Sequence, residues 1–102
     1  MGYIEDLRAL VGNRPLILAG AVVVMVDQQG RILLQQRRQP HGAWGLPGGL
    51  MELGESTEDT ARREVYEETK LSIGKLHLIN VYSGPQNYIK APNGDEFYLV
   101  TV

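Results

Sequence analysis

The spacing of apolar and polar positions predicts a short series of elements. Between Tyr3 and Val11, the residues Ile4, Leu7, Leu10 and Val11 recur on one side at helical spacing, which predicts an amphipathic helix. Gly12-Asn13-Arg14-Pro15 stops it. This helix could pack on the domain or on a second subunit of a homodimer, and the pattern leaves both open. Leu16 to Val26 is rich in β-branched residues and predicts a buried strand, with Gly20 and Ala21 marking a close approach to another element. Asp27-Gln28-Gln29-Gly30 is a turn, and Arg31 to Arg38 is expected to return as the second strand of a hairpin. Trp44, the only tryptophan, is expected in the core.

Ser56 to Ile73 contains neither Gly nor Pro and predicts a helix. Ser56 suits its N-cap, and Asp59 makes a capping-box-like start. Glu58 and Asp59 place negative charge where the helix dipole favours it. Ala61 and Val65 form a narrow apolar line suited to a sheet. Lys75 to Tyr82 has a strand-like pattern, and Ser83 to Asn87 is a loop. Tyr88–Ala91 and Glu96–Val102 predict a hairpin through Pro92-Asn93-Gly94-Asp95, where Asn-Gly is a strong turn signal. Strands with one well-marked helix between them are compatible with an α/β fold without singling out one architecture.

The candidate chemistry lies on that central helix. Glu64, Glu67 and Glu68 fall at i, i+3 and i+4, so they share one face. Their crowding opposes the helix unless something offsets it, and a hard divalent cation such as magnesium is the natural candidate. A solvated acidic face paired with Arg62 and Arg63 is the alternative. Arg37 and Arg38 could reach substrate phosphates or serve as ordinary edge-strand charges. Tyr82, Tyr88 and Tyr98 could stack on a base or simply pack.

Composition narrows the picture. The chain has 102 residues and a net charge of −2, which fits one small domain and gives no support for a nucleic-acid-binding surface. It has no cysteine, which removes disulfides, thiolate zinc sites and a cysteine nucleophile from consideration. His41 and His77 are far apart and show no metal-ligand spacing. The most apolar run is too short to span a bilayer, and Glu5 and Asp6 argue against a secretory leader, so a cytoplasmic protein is expected.

The order Gly49, five residues, Glu55, seven residues, Arg63-Glu64-Val65, one residue, Glu67-Glu68, and then Leu71 resembles the signature of the Nudix hydrolase family. Its six fixed positions arise together by chance at about a few in a million. The signature's last glycine, which would end the helix in a left-handed conformation, is Lys70 here, so either Lys70 is strained or the helix ends differently. The resemblance, centred on 49–71, implies a single domain over 1–102. The implied fold is an α/β/α sandwich around a mixed sheet. Val102 falls in what reads as mid-strand, and the family continues with more strands and a second helix. The domain is therefore expected to be C-terminally incomplete.

The resemblance also implies magnesium-dependent hydrolysis, with manganese as the alternative metal. The bond cut is the phosphoanhydride of a nucleoside diphosphate linked to another group. Glu67 and Glu68 are then the principal metal ligands, with Glu64 and the Gly48 carbonyl completing the site. Glu64 or Glu68 could instead accept a proton from metal-bound water. Arg63 orients the glutamates, Glu55 supports them, and Arg37, Arg38 and Tyr82 are the candidate substrate contacts. Glu96, the only late glutamate, is not favoured as a base. The leader, the Leu46-Pro47-Gly48-Gly49 entry and the 92–96 turn look similar to bacterial members that act on ADP-ribose or clear damaged nucleotides. ADP-ribose is placed first and an oxidised nucleoside triphosphate second. A nucleotide sensor without catalysis is the third reading, and the presence of all the motif glutamates weighs against it.

Overall fold

The computed structural model describes residues 2–37 and 42–102; Arg38 and His41 lie outside the described residues. The elements are α1 (Tyr3–Val11), β1 (Leu16–Val22), β2 (Gln35–Gln36), β3 (Trp44–Gly45), β4 (Gly48–Leu50), α2 (Thr57–Thr69), β5 (Tyr88–Lys90) and β6 (Glu96–Thr101), with a 3-10 turn at Pro85–Asn87. Four strands form one sheet in the order β4-β1-β6-β5. β1 runs parallel to β6, with Leu16 opposite Phe97 and Gly20 opposite Thr101. It runs antiparallel to β4, with Ala21 opposite Gly49 and Val22 opposite Gly48. The sheet is therefore mixed, and the α/β class expected from the sequence is the one observed. β2 and β3 form a separate two-stranded ribbon.

Helix α2 lies on this sheet because its apolar line is narrow and small. Ala61 and Val65 meet Ala21 and Val23 of the first strand region, and Met25, Ile73 and Leu76 pack around them. Val65 is wholly buried. At the helix start, Ser56 Oγ accepts from the Asp59 N–H and Asp59 Oδ2 accepts from the Ser56 N–H, both at 3.0 Å. This is the capping box that the sequence predicted. The C-terminus departs from common practice. Lys70 adopts φ 63° and ψ 13°, a left-handed cap, and its N–H donates to the Tyr66 carbonyl. A left-handed conformation costs a non-glycine residue about 1–2 kcal/mol. Lys70→Gly is expected to raise stability by about 0.5–1 kcal/mol, the gain being trimmed by glycine's greater freedom when unfolded. Thermal unfolding of the two chains checks this.

Four local expectations are corrected. The predicted strand over 16–26 ends at Val22, with only Val26 bridged to Ile32 beyond it. The returning strand over 31–38 shrinks to β2, which pairs with β3 rather than with β1. Both edges of β1 are already taken by β4 and β6. Gly20 helps admit β4, since a Cβ there would stand 2.6 Å from the Gly49 carbonyl oxygen. The stretch 75–82 forms no named strand; only Tyr82 is bridged, to Thr101. β5 takes only Glu96 to Tyr98 of that side of β6, the single bridge at Thr101 does not extend back along 75–81, and Leu78 and Ile79 are exposed. Trp44 is also exposed, at 63%, rather than in the core.

Helix α1 matches its predicted span and ends at Gly12. A polar residue ties it to the sheet. Arg8 Nη2 donates to the Glu96 carbonyl at 2.7 Å, and Arg8 Nε lies 3.6 Å from Asp95. The leader is thus held on this domain's β5–β6 turn.

Candidate active site

Arg63 is the hub of the site. Its five N–H donors match a set of acceptors that the loop and helix bring together. Nε and Nη2 grip Glu55 as a fork, at 2.6 and 2.9 Å. Nη2 also donates to the Leu50 carbonyl at 3.0 Å. Nη1 donates to Glu64 Oε2 at 3.0 Å and to Glu67 Oε1 at 3.3 Å. One side chain therefore ties the loop before α2 to β4 and to two glutamates on the helix. Glu55 is further held by the Glu52 N–H and by the hydroxyl of fully buried Thr60.

This setting holds the Glu55 carboxyl down to about 2, chiefly through the Arg63 hydrogen bonds. Its ordinary value is 4.5. A lowered carboxyl contributes stability above its unfolded value and loses it as pH falls toward its folded one. Glu55→Gln is expected to cost about 1–3 kcal/mol at pH 7. The difference from wild type should shrink between pH 4.5 and pH 2, where the Glu55 advantage titrates away. Urea unfolding at pH 7, 4 and 2.5 checks this, and a difference independent of pH would speak against it.

Glu64 reaches down to the β4 edge. Its carboxylate presses on Gly49, where any Cβ would collide with it. A side chain at this position would push the Glu64 carboxylate aside, so glycine here lets that carboxylate sit against the strand. Burial raises the Glu64 carboxyl above its ordinary value, Glu68 and Glu67 add to the rise, and Arg63 opposes it.

Glu68 meets the same edge one residue earlier. Its Oε1 accepts from the Gly48 N–H at 3.0 Å and from Gln35 Nε2 at 2.8 Å. The β1–β4 ladder explains why the Gly48 N–H is free to donate. Val23 bonds to the Pro47 carbonyl and Met51 to the Ala19 carbonyl. Antiparallel residues alternate between bonded and unbonded positions, so Gly48 turns both its N–H and its carbonyl away from β1. That carbonyl faces the open edge which Glu68 overlooks.

The three glutamates share a helix face but do not converge. Glu64 goes to Gly49, Glu68 to Gly48, and Glu67, more exposed, to Arg63. No ready-made cluster of three metal-ligating side chains occurs among the described residues. A cage is not what a magnesium-type ion requires, since it uses one or two carboxylates and takes its remaining oxygens from water and phosphates. The donors at this edge are all oxygens, which suits such an ion.

The other candidates are spread out. Arg37 follows β2, and its guanidinium lies over Gly45 in β3. Arg38 lies outside the described residues. Tyr82 bridges Thr101 on the side of β6 remote from β1, about 14 Å across the sheet from Gly49 by strand spacing. Tyr88 and Tyr98 face each other at 5.3 Å, and Tyr88 donates to Glu96 at 2.6 Å. Glu96 sits at the opposite end of the sheet from Gly48, as the pairing of Phe97 with Leu16 shows. Gln35 was not singled out by sequence reasoning. A glutamine in a strand of low alternation carries no signal there, and only the fold brings it to Glu68.

A mixed sheet bearing an acidic helix, with two glutamates lodged against a glycine edge and an arginine hub behind them, defines an α/β protein with an oxygen-donor site. The model of the NUDIX domain matches residues 17–102, and the chain belongs to the Nudix family. Nudix proteins in general depend on a divalent metal. The chain is 39% identical over 67 residues to a putative 8-oxo-dGTP diphosphatase of Bacillus subtilis, covering 66% of this chain and 44% of that protein. It is 35% identical over 86 residues to an ADP-ribose pyrophosphatase of Methanocaldococcus jannaschii, covering 82% of this chain and 49% of that one. Among solved structures, a MutT Nudix hydrolase from Burkholderia pseudomallei superposes with a TM-score of 0.64 at 31% identity, over 86% of this chain and 64% of that one. The chain spans about half, or less, of the length of these curated relatives. No helix among the described residues is long and apolar enough to cross a membrane.

Proposed function

We propose that this chain carries the metal site of a magnesium-dependent hydrolase, with manganese as a substitute ion. The bond cut is a phosphoanhydride in a nucleoside diphosphate linked to a second group, and a cytoplasmic setting belongs to the same proposal. The observation that carries this reading is the pairing of Glu64 and Glu68 with the Gly48-Gly49 edge. It aligns two carboxylates and an outward carbonyl as oxygen donors. Glu68, Glu64 and the Gly48 carbonyl would hold the ion, and Glu67 would join it by leaving Arg63. The ion would neutralise diphosphate charge and acidify bound water. Arg63 keeps Glu64 oriented, and Glu55 keeps Arg63 in place. Either Glu64 or Glu68 can accept a proton from water at this edge. Arg37, which follows the strand whose Gln35 meets Glu68, is the candidate cation for a phosphate.

ADP-ribose is the substrate placed first, because the similarity to the Methanocaldococcus pyrophosphatase covers more of this chain. An oxidised purine nucleoside triphosphate is the second reading, supported by the higher identity to the Bacillus protein over a shorter stretch. The test is a hydrolysis screen with magnesium and chromatographic product analysis. Its panel holds ADP-ribose, nucleotide sugars, and normal and oxidised nucleoside triphosphates. AMP and ribose phosphate from ADP-ribose support the first reading, and a nucleoside monophosphate with pyrophosphate supports the second. Binding of a panel member without turnover would favour a sensor instead.

A further inference from the structure

We infer that Gln35 is a positioning residue for the metal site, an inference that rests on the reading of Glu68 as a metal ligand. Glu68 is exposed on the last turns of α2, where a glutamate side chain is ordinarily free to rotate. Here it is held from two directions. The Gly48 N–H comes from β4, and Gln35 Nε2 comes from the separate β2–β3 ribbon, 33 residues earlier in the chain. Both donors act on the same oxygen, Oε1. That oxygen is engaged twice, and the carboxylate plane is set by donors on two elements. Oε2 accepts no hydrogen bond among the described residues and is the oxygen offered to a cation.

Gln35 suits the task because a neutral amide donates to the carboxylate without competing for it by charge. A lysine or arginine there would form an ion pair and oppose a cation. The neighbouring Gln36 does not share the role, since its amide turns to the Gly42 carbonyl at 3.4 Å. The same ribbon carries Arg37 directly after β2. Gln35 therefore links the strand that bears the phosphate candidate to the helix that bears the metal candidates.

The experiment titrates the full chain with Mn2+ alone and follows free ion by electron paramagnetic resonance. Thermal unfolding without metal is measured beside it. Gln35→Met keeps the length of the side chain and removes the donor. It is expected to weaken Mn2+ binding by about 10-fold or more, as loss of an outer partner of a metal ligand does. Unfolding without metal should shift by no more than a few degrees. Gln35→Asn, which keeps the amide but falls short of Glu68, is expected to weaken binding in the same direction and serves if Gln35→Met does not fold. Gln36→Met is expected to bind as wild type does. Wild-type affinity in Gln35→Met or Gln35→Asn would overturn the inference while leaving the metal site standing. A wild-type chain that binds no Mn2+ would overturn the metal site and the inference together.

Discussion

Glu68→Gln is expected to reduce magnesium-dependent turnover by about 10²–10⁴-fold with little loss of stability. The geometry explains the separation. The amide oxygen of the new glutamine can keep the Gly48 N–H bond that Oε1 makes now. Its amide nitrogen then stands where the second carboxylate oxygen stood. An amide NH2 is a donor, so it cannot ligate a cation. The site loses a negative ligand while the helix keeps its contact with β4. Steady-state rates at saturating magnesium, beside thermal unfolding, check both halves. Unchanged turnover in a folded variant would remove Glu68 from the chemistry.

Arg63→Lys is expected to be the most destabilising of the conservative changes in the motif, at about 2–3 kcal/mol. Lysine keeps the charge but cannot reproduce the planar fork on Glu55 or reach Leu50, Glu64 and Glu67 at once. Glu55 and Glu64, with side chains only 17% and 16% exposed, would keep their charge and lose their donors. For a chain of this size, each kcal/mol moves the melting temperature by about 4–8 °C. A drop of about 10 °C or more is therefore expected in calorimetry. Activity should fall as well, because Glu64 and Glu67 lose the group that orients them. A variant with a wild-type melting temperature would show that the five bonds contribute little.

Much of this was legible in the residues, and the reasons are local. The α2 start could be read because Ser56 and Asp59 form their two bonds within one turn. The β5–β6 hairpin could be read because Pro92-Asn93-Gly94-Asp95 closes it locally. At Lys70 the signature left two outcomes open, a strained left-handed residue or a helix that ends differently, and the structure has the first. Decisions taken over long distances were not legible. The apolar run after Leu16 says that a strand exists, but not that β4 and β6 will claim both its edges ahead of residues 31–38. Lys75 to Tyr82 alternates like a strand, yet alternation gives a face and not a partner. In the site, the spacing of the glutamates gave a common helix face. It could not reveal that Arg63 takes Glu67, that Gly49 receives Glu64, or that Gln35 would arrive at Glu68.

The most direct test of the account is where the ion binds. Substoichiometric Mn2+ added to the 15N-labelled chain broadens amide signals near the metal in a proton–nitrogen correlation spectrum. Selective broadening is expected at Gly48, Gly49, Glu64 and Glu68, with sharp signals at Tyr88 and Glu96 on the far hairpin. Broadening centred on that hairpin, or no selective broadening at all, would contradict that placement.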